Sequence, residues 1–216
     1  MTFTTTPLRP GLLFDLAGSV HPSVAQGWCD SPLTLEEGTH FGFVQIGPAR
    51  LDCQAGSFSL GAGLYFAVPG AARVQGGMGL AITRLGYQGL FSLGGPIEER
   101  GRLQYIDGCT DSLLLAPVLR GDPCLNLLHL PPGTRQSRHT HPSDRVGLVV
   151  RGAGTCLTDA GAAELRPGLA FLIPTDLPHC FHTEDSELLI VAYHPDSDFG
   201  PTHQDHPMIN RTLRVS

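Results

Sequence analysis

The sequence predicts an all-β protein built as two consecutive barrels, and three observations carry that prediction. The 216 residues include 27 Gly and 18 Pro, a density of turn formers that suits short strands joined by tight turns. Apolar runs of four to eight residues recur between those turns, as strands do. Helical periodicity is not sustained beyond about ten residues anywhere. The length accommodates two units of ordinary barrel size. With 41% hydrophobic and 16% charged residues, the chain can fill a sizeable core and does not read as disordered.

In chain order, HFGFVQIG, ARLDCQAG, SFSLGAG, LYFAVPG and ARVQGG are strand candidates in residues 40–75, and GMGLAITRLGYQGLFSLGG extends the pattern to Gly95. The more polar PIEERGRLQYIDGCTDS (96–112) connects the two units, with room for one helical turn. A second series follows: LLLAPVL, LNLLHL, RVGLVVRG, GTCLTD, AAELRPG, LAFLIP, HCFHT and LLIVAYHP. Eight candidates in one stretch argue for a sandwich or barrel. GLYFAVP (63–69) in the first half echoes GLAFLIP (168–174) in the second, which favours a duplicated module. The expected division is 1–100 and 101–216. The tail DSDFGPTHQDHPMINRTLRVS is polar and turn-rich and is expected to pack over a barrel as an extended segment.

Composition narrows the function classes. The net charge is −6 with histidine neutral, and no basic block is present, so no nucleic-acid partner is expected. No apolar run has the length of a membrane span. The N-terminal patch GLLFDLAG, interrupted by Asp15, is not read as a signal peptide, and the cytoplasm is the expected compartment. Cys29, Cys53, Cys109, Cys124, Cys156 and Cys180 form no close pair and read as reduced, mostly buried thiols.

The chemistry concentrates in the second half. His139 and His141 stand two apart in RHTHP, so on a strand both imidazoles share a face. Neutral imidazole is the commonest transition-metal ligand. An HxH in isolation reads more readily as exposed histidines near a turn. His179, however, opens a strand candidate after the turn that follows Pro174, where a returning strand can bring a third imidazole to the same place.

At this point the sequence resembles the cupin superfamily. The family's first motif, G(x5)HxH(x3–4)E(x6)G, is matched by Gly133, five residues, His139-Thr140-His141, three residues, Arg145, six residues and Gly152. The second, G(x5)PxG(x2)H(x3)N, is matched by Gly168, five residues, Pro174, Thr175, Asp176, two residues, His179, three residues and Thr183. The resemblance implies a tandem pair of double-stranded β-helix (jelly-roll) barrels, a bicupin, with His139, His141 and His179 as metal ligands in the second. Three positions depart from the pattern: Asp176 replaces a Gly, Thr183 replaces an Asn, and Arg145 stands where the ligand Glu belongs. Asp144 is next door, but strand parity turns it to the other face. The implied site is three histidines without a carboxylate, like those of cupin thiol and diketone-cleaving dioxygenases. The first half resembles a cupin without its metal: Val74 stands at the second-motif His position, and His40 is alone.

Arg145 bears on the ligand. A guanidinium about 6 Å from a divalent ion would be repelled by roughly 5 kcal/mol at an effective dielectric near 20. An anionic substrate reverses that sign, and a guanidinium holds a carboxylate bidentately. Arg145 is therefore a candidate substrate-binding residue. The alternative is a rim position paired with Asp144 or Glu187. His129, His182 and Tyr193 are candidate catalytic residues, although parity places His182 opposite His179. His194, Asp196, Asp198, His203, Asp205 and His206 give the tail enough ligand types for a second metal, with a lid over the barrel as the plainer expectation.

Together these readings predict one divalent transition metal, Fe(II) favoured and Mn, Ni or Zn as alternatives. The expected activity is that of a dioxygenase acting on a small anionic organic substrate. The alternatives are a non-redox isomerase or lyase and a non-catalytic, metal-dependent small-ligand binder. A homodimer through exposed edge strands is the expected assembly.

Overall fold

The computed structural model describes residues 2–213 and Val215. The first half contributes β1 (Thr4–Pro7), β2 (Gly11–Leu16), β3 (Ser23–Cys29), β4 (Leu33–Leu35), β5 (Thr39–Ile46), β6 (Ala49–Cys53), β7 (Gly56–Leu60), β8 (Tyr65–Pro69), β9 (Ala72–Gln75), β10 (Met78–Arg84) and β11 (Ser92–Gly94). The second contributes β12 (Leu103–Gln104), β13 (Thr110–Leu115), β14 (Cys124–Leu130), β15 (Arg145–Gly152), β16 (Gly154–Thr158), β17 (Gly161–Leu165), β18 (Leu169–Ile173), β19 (His179–His182) and β20 (Leu188–His194). A 3-10 turn at Ile106–Gly108 lies in the connector and another at Ile209–Arg211 in the tail. Among the described residues, no helix is long and apolar enough to cross a membrane.

Four antiparallel sheets result, two large and two small. In the first half a sheet ordered β11-β8-β5-β10-β3-β2 faces a smaller one ordered β4-β9-β6-β7. In the second, β1-β18-β15-β20-β14-β13-β12 faces β17-β16-β19. The fold is thus the all-β jelly roll of the cupins. β1 belongs to the first stretch of the chain but pairs with β18 in the second large sheet, Thr4 opposite Leu172 and Pro7 opposite Leu169.

The strands in residues 4–35 are the elements that sequence reading did not anticipate. Pro and Gly interrupt this region, and its apolar residues are spaced for one face only. β2 shows the cost of relying on runs: GLLFDL buries Phe14 and Leu16 while Leu12 is half exposed. Tertiary pairing with β3, not local propensity, makes it a strand.

Strand alternation sorts the core into three parts. Trp28, Leu51, Leu60, Phe66 and Val74 fill the first sandwich. Leu165, Phe171, Phe181, Leu188 and Ile190 fill the second. A third cluster joins the backs of the two large sheets, with Phe41, Phe43, Leu80 and Ile82 meeting Leu125, Leu127, Leu148, Val191 and Tyr193. Because successive side chains point to opposite faces, Leu125 and Leu127 of β14 look toward the first half, whereas Asn126 and Leu128 look into the second sandwich. The same rule sends Val191 and Tyr193 of β20 out to the joint, and Ile190, Ala192 and His194 inward.

Local geometry repeats between the halves. Gly42 lies opposite Phe66 and Gly147 opposite Phe171, and in both pairs the ring covers the glycine so closely that a Cβ would fall about 2 Å from ring carbon. Gly63 and Gly168 both take positive φ, 80° and 81°. Where Leu33 pairs with Val74 in the first half, His139 pairs with His179 in the second.

Candidate metal centre

His139 and His141 do not sit on a regular strand as their spacing suggested. They lie on an extended segment between β14 and β15, tied to β19 through one bridge in which His139 N–H donates to His179 O at 2.9 Å and His179 N–H to His139 O at 3.0 Å. This bridge replaces the alignment a full strand would have given. The turn before β19 is set by Asp176, which adopts φ 57°, a left-handed conformation that Asp tolerates better than most residues. Its N–H donates to His141 O at 2.8 Å. Asp144 tightens the same turn, accepting from Thr175 N–H at 2.9 Å. Thr183, at the position of the family's Asn, is a strut: its hydroxyl donates to Pro131 O at 2.6 Å and accepts from Thr134 N–H at 2.9 Å.

The three imidazoles converge. Ring centroids are 5.0 Å apart for His139 and His141, 4.5 Å for His139 and His179, and 5.2 Å for His141 and His179. One nitrogen from each ring lies within 4.8 Å of the others, the one such His/Cys/Asp/Glu cluster among the described residues. Hydrogen bonding selects which nitrogen faces inward. His139 Nδ1–H donates to Ser137 O at 2.9 Å and His179 Nδ1–H to Leu177 O at 2.8 Å. A carbonyl can only accept, so the protons are held on Nδ1 and the Nε2 lone pairs are left for an ion. His179 Nε2 is buried and has no hydrogen-bond partner. Burial, reinforced by the Arg145 charge, pushes His141 down to about 3, and burial pushes His179 down to about 4. Neutral rings are the form that binds metal. The donor set therefore fits a divalent transition ion.

A cavity of about 480 Å³ is lined by His139 and His141 of the triad. Leu128, Phe171, Ile173, Phe181 and Ile190 form apolar wall, and Asp111, Asn126, Arg145, His194 and Asp196 supply polar groups. Arg145 is buried, 7% exposed, and does not reach the rim. Its NH1 donates to Ser143 O and Asp144 O, both at 3.1 Å, and to the Ser143 hydroxyl. Asp196 Oδ1 stands 3.7 Å away and is itself bonded by the Ser143 hydroxyl. Neither the Asp144 carboxylate nor Glu187 is its partner: Asp144 holds the turn and Glu187 pairs with Arg151 and His129. Arg145 Nε is buried without a partner.

The three candidate catalytic residues are not brought to this cavity. Tyr193 is in the joint between halves, its hydroxyl 3.3 Å from Ser23 Oγ. His129 points the same way as Leu127 by strand parity, and its Nε2 meets Glu187 at 3.0 Å. His182 faces away from His179 and Phe181, with Nε2 3.6 Å from Cys180 Sγ. His194 is the residue that sequence reading undervalued. It lines the cavity with its ring 6.4 Å from that of His141, and burial holds it well below the usual histidine range. Parity relative to Tyr193 would have found it once one face of β20 was known. Of the tail, Asp196, Ser197, Asp198 and Phe199 line the cavity, whereas His203, Asp205 and His206 do not.

Comparison with known proteins agrees with this description. Residues 126–194 match the Cupin domain family. No curated protein sequence is significantly similar. Among solved structures, a putative glyoxylate-induced protein from Pseudomonas aeruginosa superposes with a TM-score of 0.62 at 12% identity, covering 93% of this chain and 91% of that one. A Cupin 2 conserved barrel domain protein from Leptotrichia buccalis gives 0.59 at 13% identity, covering 89% and 88%. Salicylate 1,2-dioxygenase from Pseudoaminobacter salicylatoxidans, in a structure with gentisate, gives 0.59 at 12% identity, covering 80% and 67%. At these identities the likeness is one of fold.

Proposed function

We propose that this chain, whose residues 126–194 are a cupin domain, is a metal-dependent oxidoreductase of dioxygenase type acting on a small organic anion. The observation that carries the reading is a triad of converging imidazoles, without a carboxylate ligand, beside a largely apolar cavity that also holds a buried arginine. His139, His141 and His179 would hold the ion, Fe(II) in the favoured case and Mn, Ni or Zn otherwise. Such an ion supplies open positions for substrate and dioxygen and polarises both. The carbonyls of Ser137 and Leu177 keep two of the imidazoles in the ligating tautomer. Arg145, which lines the cavity, would offer its charge to a substrate carboxylate. Asp196 and Ser143 fix the guanidinium without neutralising it by a close bidentate pair. Phe171, Phe181 and Ile173 exclude water from the reacting end.

The isomerase or lyase reading needs a base in the cavity; His129, His182 and Tyr193 do not line it, and that role would fall to His194, Asp111 or Asp196. The neighbouring dioxygenase and its gentisate ligand support an organic acid as substrate class. The first half, with Leu33 and Val74 at the positions of the His139–His179 bridge, would be a structural partner that binds no metal there.

The test is metal analysis of protein purified without a histidine tag, followed by oxygen-uptake assays on a panel of small carboxylates. Bound iron with substrate-dependent oxygen uptake is the expected result. Product formation under strict anaerobiosis would replace this reading with the non-redox one, and tight binding without turnover would replace it with a binding protein.

A further inference from the structure

The first half meets the polar end of the cavity at Asp196. Beyond β20 the chain runs along the first half, where Arg84 Nε–H donates to Pro195 O at 3.4 Å. Arg84 ends β10 opposite Ser23 of β3. Its guanidinium also donates to Pro22 O at 3.2 Å, to Leu85 O at 3.1 Å and to His21 Nδ1 at 3.4 Å. A guanidinium has no acceptor, so His21 Nδ1 accepts and the ring carries its proton on Nε2. That nitrogen stands 3.7 Å from Asp196 Oδ2. The other oxygen, Oδ1, accepts from the Ser143 hydroxyl and stands 3.7 Å from Arg145 Nη1. Asp196 thus turns one oxygen toward each half. Gly121 N–H fixes the next residue, donating to Ser197 O at 2.9 Å. Arg145 uses Nη1 on Ser143 and Asp144. Its Nη2 makes no hydrogen bond among the described residues and, unlike Nε, retains accessible surface.

We propose that His21 and Arg84 of the first half are positioning residues of the anion site, holding the Asp196 carboxylate off Arg145 so that the guanidinium stays open to a substrate carboxylate. The proposal rests on the reading above that Arg145 binds that carboxylate. A guanidinium and a carboxylate pair best as a bidentate fork, and a buried cation costs free energy unless it is paired. Arg145 is 7% exposed, and Asp196 is a carboxylate within reach on the same cavity wall. Left to itself, Asp196 would close onto Arg145 and compete with substrate at the high effective concentration of a tethered group. The contacts of His21 with Oδ2 and of Arg84 with Pro195 O and His21 oppose that closure. The first half, which has Leu33 and Val74 at the positions of the His139–His179 bridge, then serves the reaction by keeping the second half's arginine available.

The experiment is anaerobic titration calorimetry of the full-length, metal-loaded protein with acetate and benzoate, and with benzamide as the uncharged control. His21→Phe and Arg84→Gln are each expected to weaken the two carboxylates about threefold or more and to leave benzamide unchanged. Metal content, read by elemental analysis, should stay the same in both variants. Asp196→Asn removes the competing charge and supplies the readout that a merely structural role would not move. In its background, His21→Phe and Arg84→Gln should change carboxylate affinity less than about twofold. The His21 side chain is 28% exposed, so His21→Phe carries the test if Arg84→Gln does not fold. Carboxylate affinity indifferent to His21→Phe overturns the proposal. So does a loss that persists in full with Asp196→Asn, or one that benzamide shares. Carboxylate binding untouched by Arg145→Gln, or no carboxylate binding at all, instead overturns the Arg145 reading and takes this proposal with it.

Discussion

At His179 one hydrogen bond decides which nitrogen is available for chemistry. The Leu177 carbonyl takes the Nδ1 proton and leaves Nε2 buried and unpaired, a state that costs free energy unless an ion compensates it. His179→Ala is therefore expected to abolish metal retention, read by elemental analysis. Added metal should raise the melting temperature of the unaltered protein, by about 2.7 kcal/mol of stabilisation at a hundredfold excess over Kd, and should not shift the variant. Asp111 makes the opposite bargain. Its folded carboxyl is raised to about 6 from an ordinary 3.8, chiefly by burial. Between those two values the folded protein retains a proton that the unfolded chain has released, so stability falls as pH rises through this window and is flat above it. Asp111→Asn removes that loss. The melting-temperature difference between variant and unaltered protein should be smallest below about pH 4, grow in the variant's favour to about pH 6, and then level off.

Strand parity is the rule that assigns roles at the level of elements. β14 and β20 each serve two interiors, so neighbouring residues have unrelated functions: Tyr193 joins the halves while His194 lines the cavity. Both residue types suit a pocket mouth, and sequence spacing alone leaves their faces unassigned until the partner of each face is known. Turns were more legible. Gly133, Gly152 and Gly168 of the two motifs all adopt positive φ, 76°, 78° and 81°. At Gly152 a Cβ would lie 1.8 Å from Glu187 O. Gly152→Ala therefore meets both a backbone clash and left-handed strain, and should cost roughly 3 kcal/mol or more in a denaturant titration.

For the whole molecule, the expected division at residues 100 and 101 stands as a proposal with a physical qualification. The backs of the large sheets share an apolar joint, crossed also by Gln45 Nε2–H donating to Val150 O at 2.9 Å and by the Phe41–Tyr193 ring contact at 5.3 Å. β1 covers the edge of β18, which protects that edge from other chains. A 101–216 fragment would expose Leu125, Leu127, Leu148 and Val191 together with that edge. It is expected to aggregate or bind a hydrophobic dye under conditions in which the full chain does neither, and a monomeric, dye-free fragment would count against the joint as a source of stability. The expected homodimer belongs to the same scale and is tested by sedimentation of the full chain.

The sequence by itself determined the all-β class, most strand positions after residue 39, the turn glycines and the three histidines, because each is written in local patterns: period, punctuation and motif spacing. It did not determine that residues 4–35 are strands, since their pairing partners lie elsewhere in the chain. Nor did it determine that Arg145 is buried against Ser143 and Asp196, or that Asn126 and Asp111 share the cavity with the triad. Those outcomes depend on which face of a strand meets which sheet, and only the packing of the two large sheets back to back decides it.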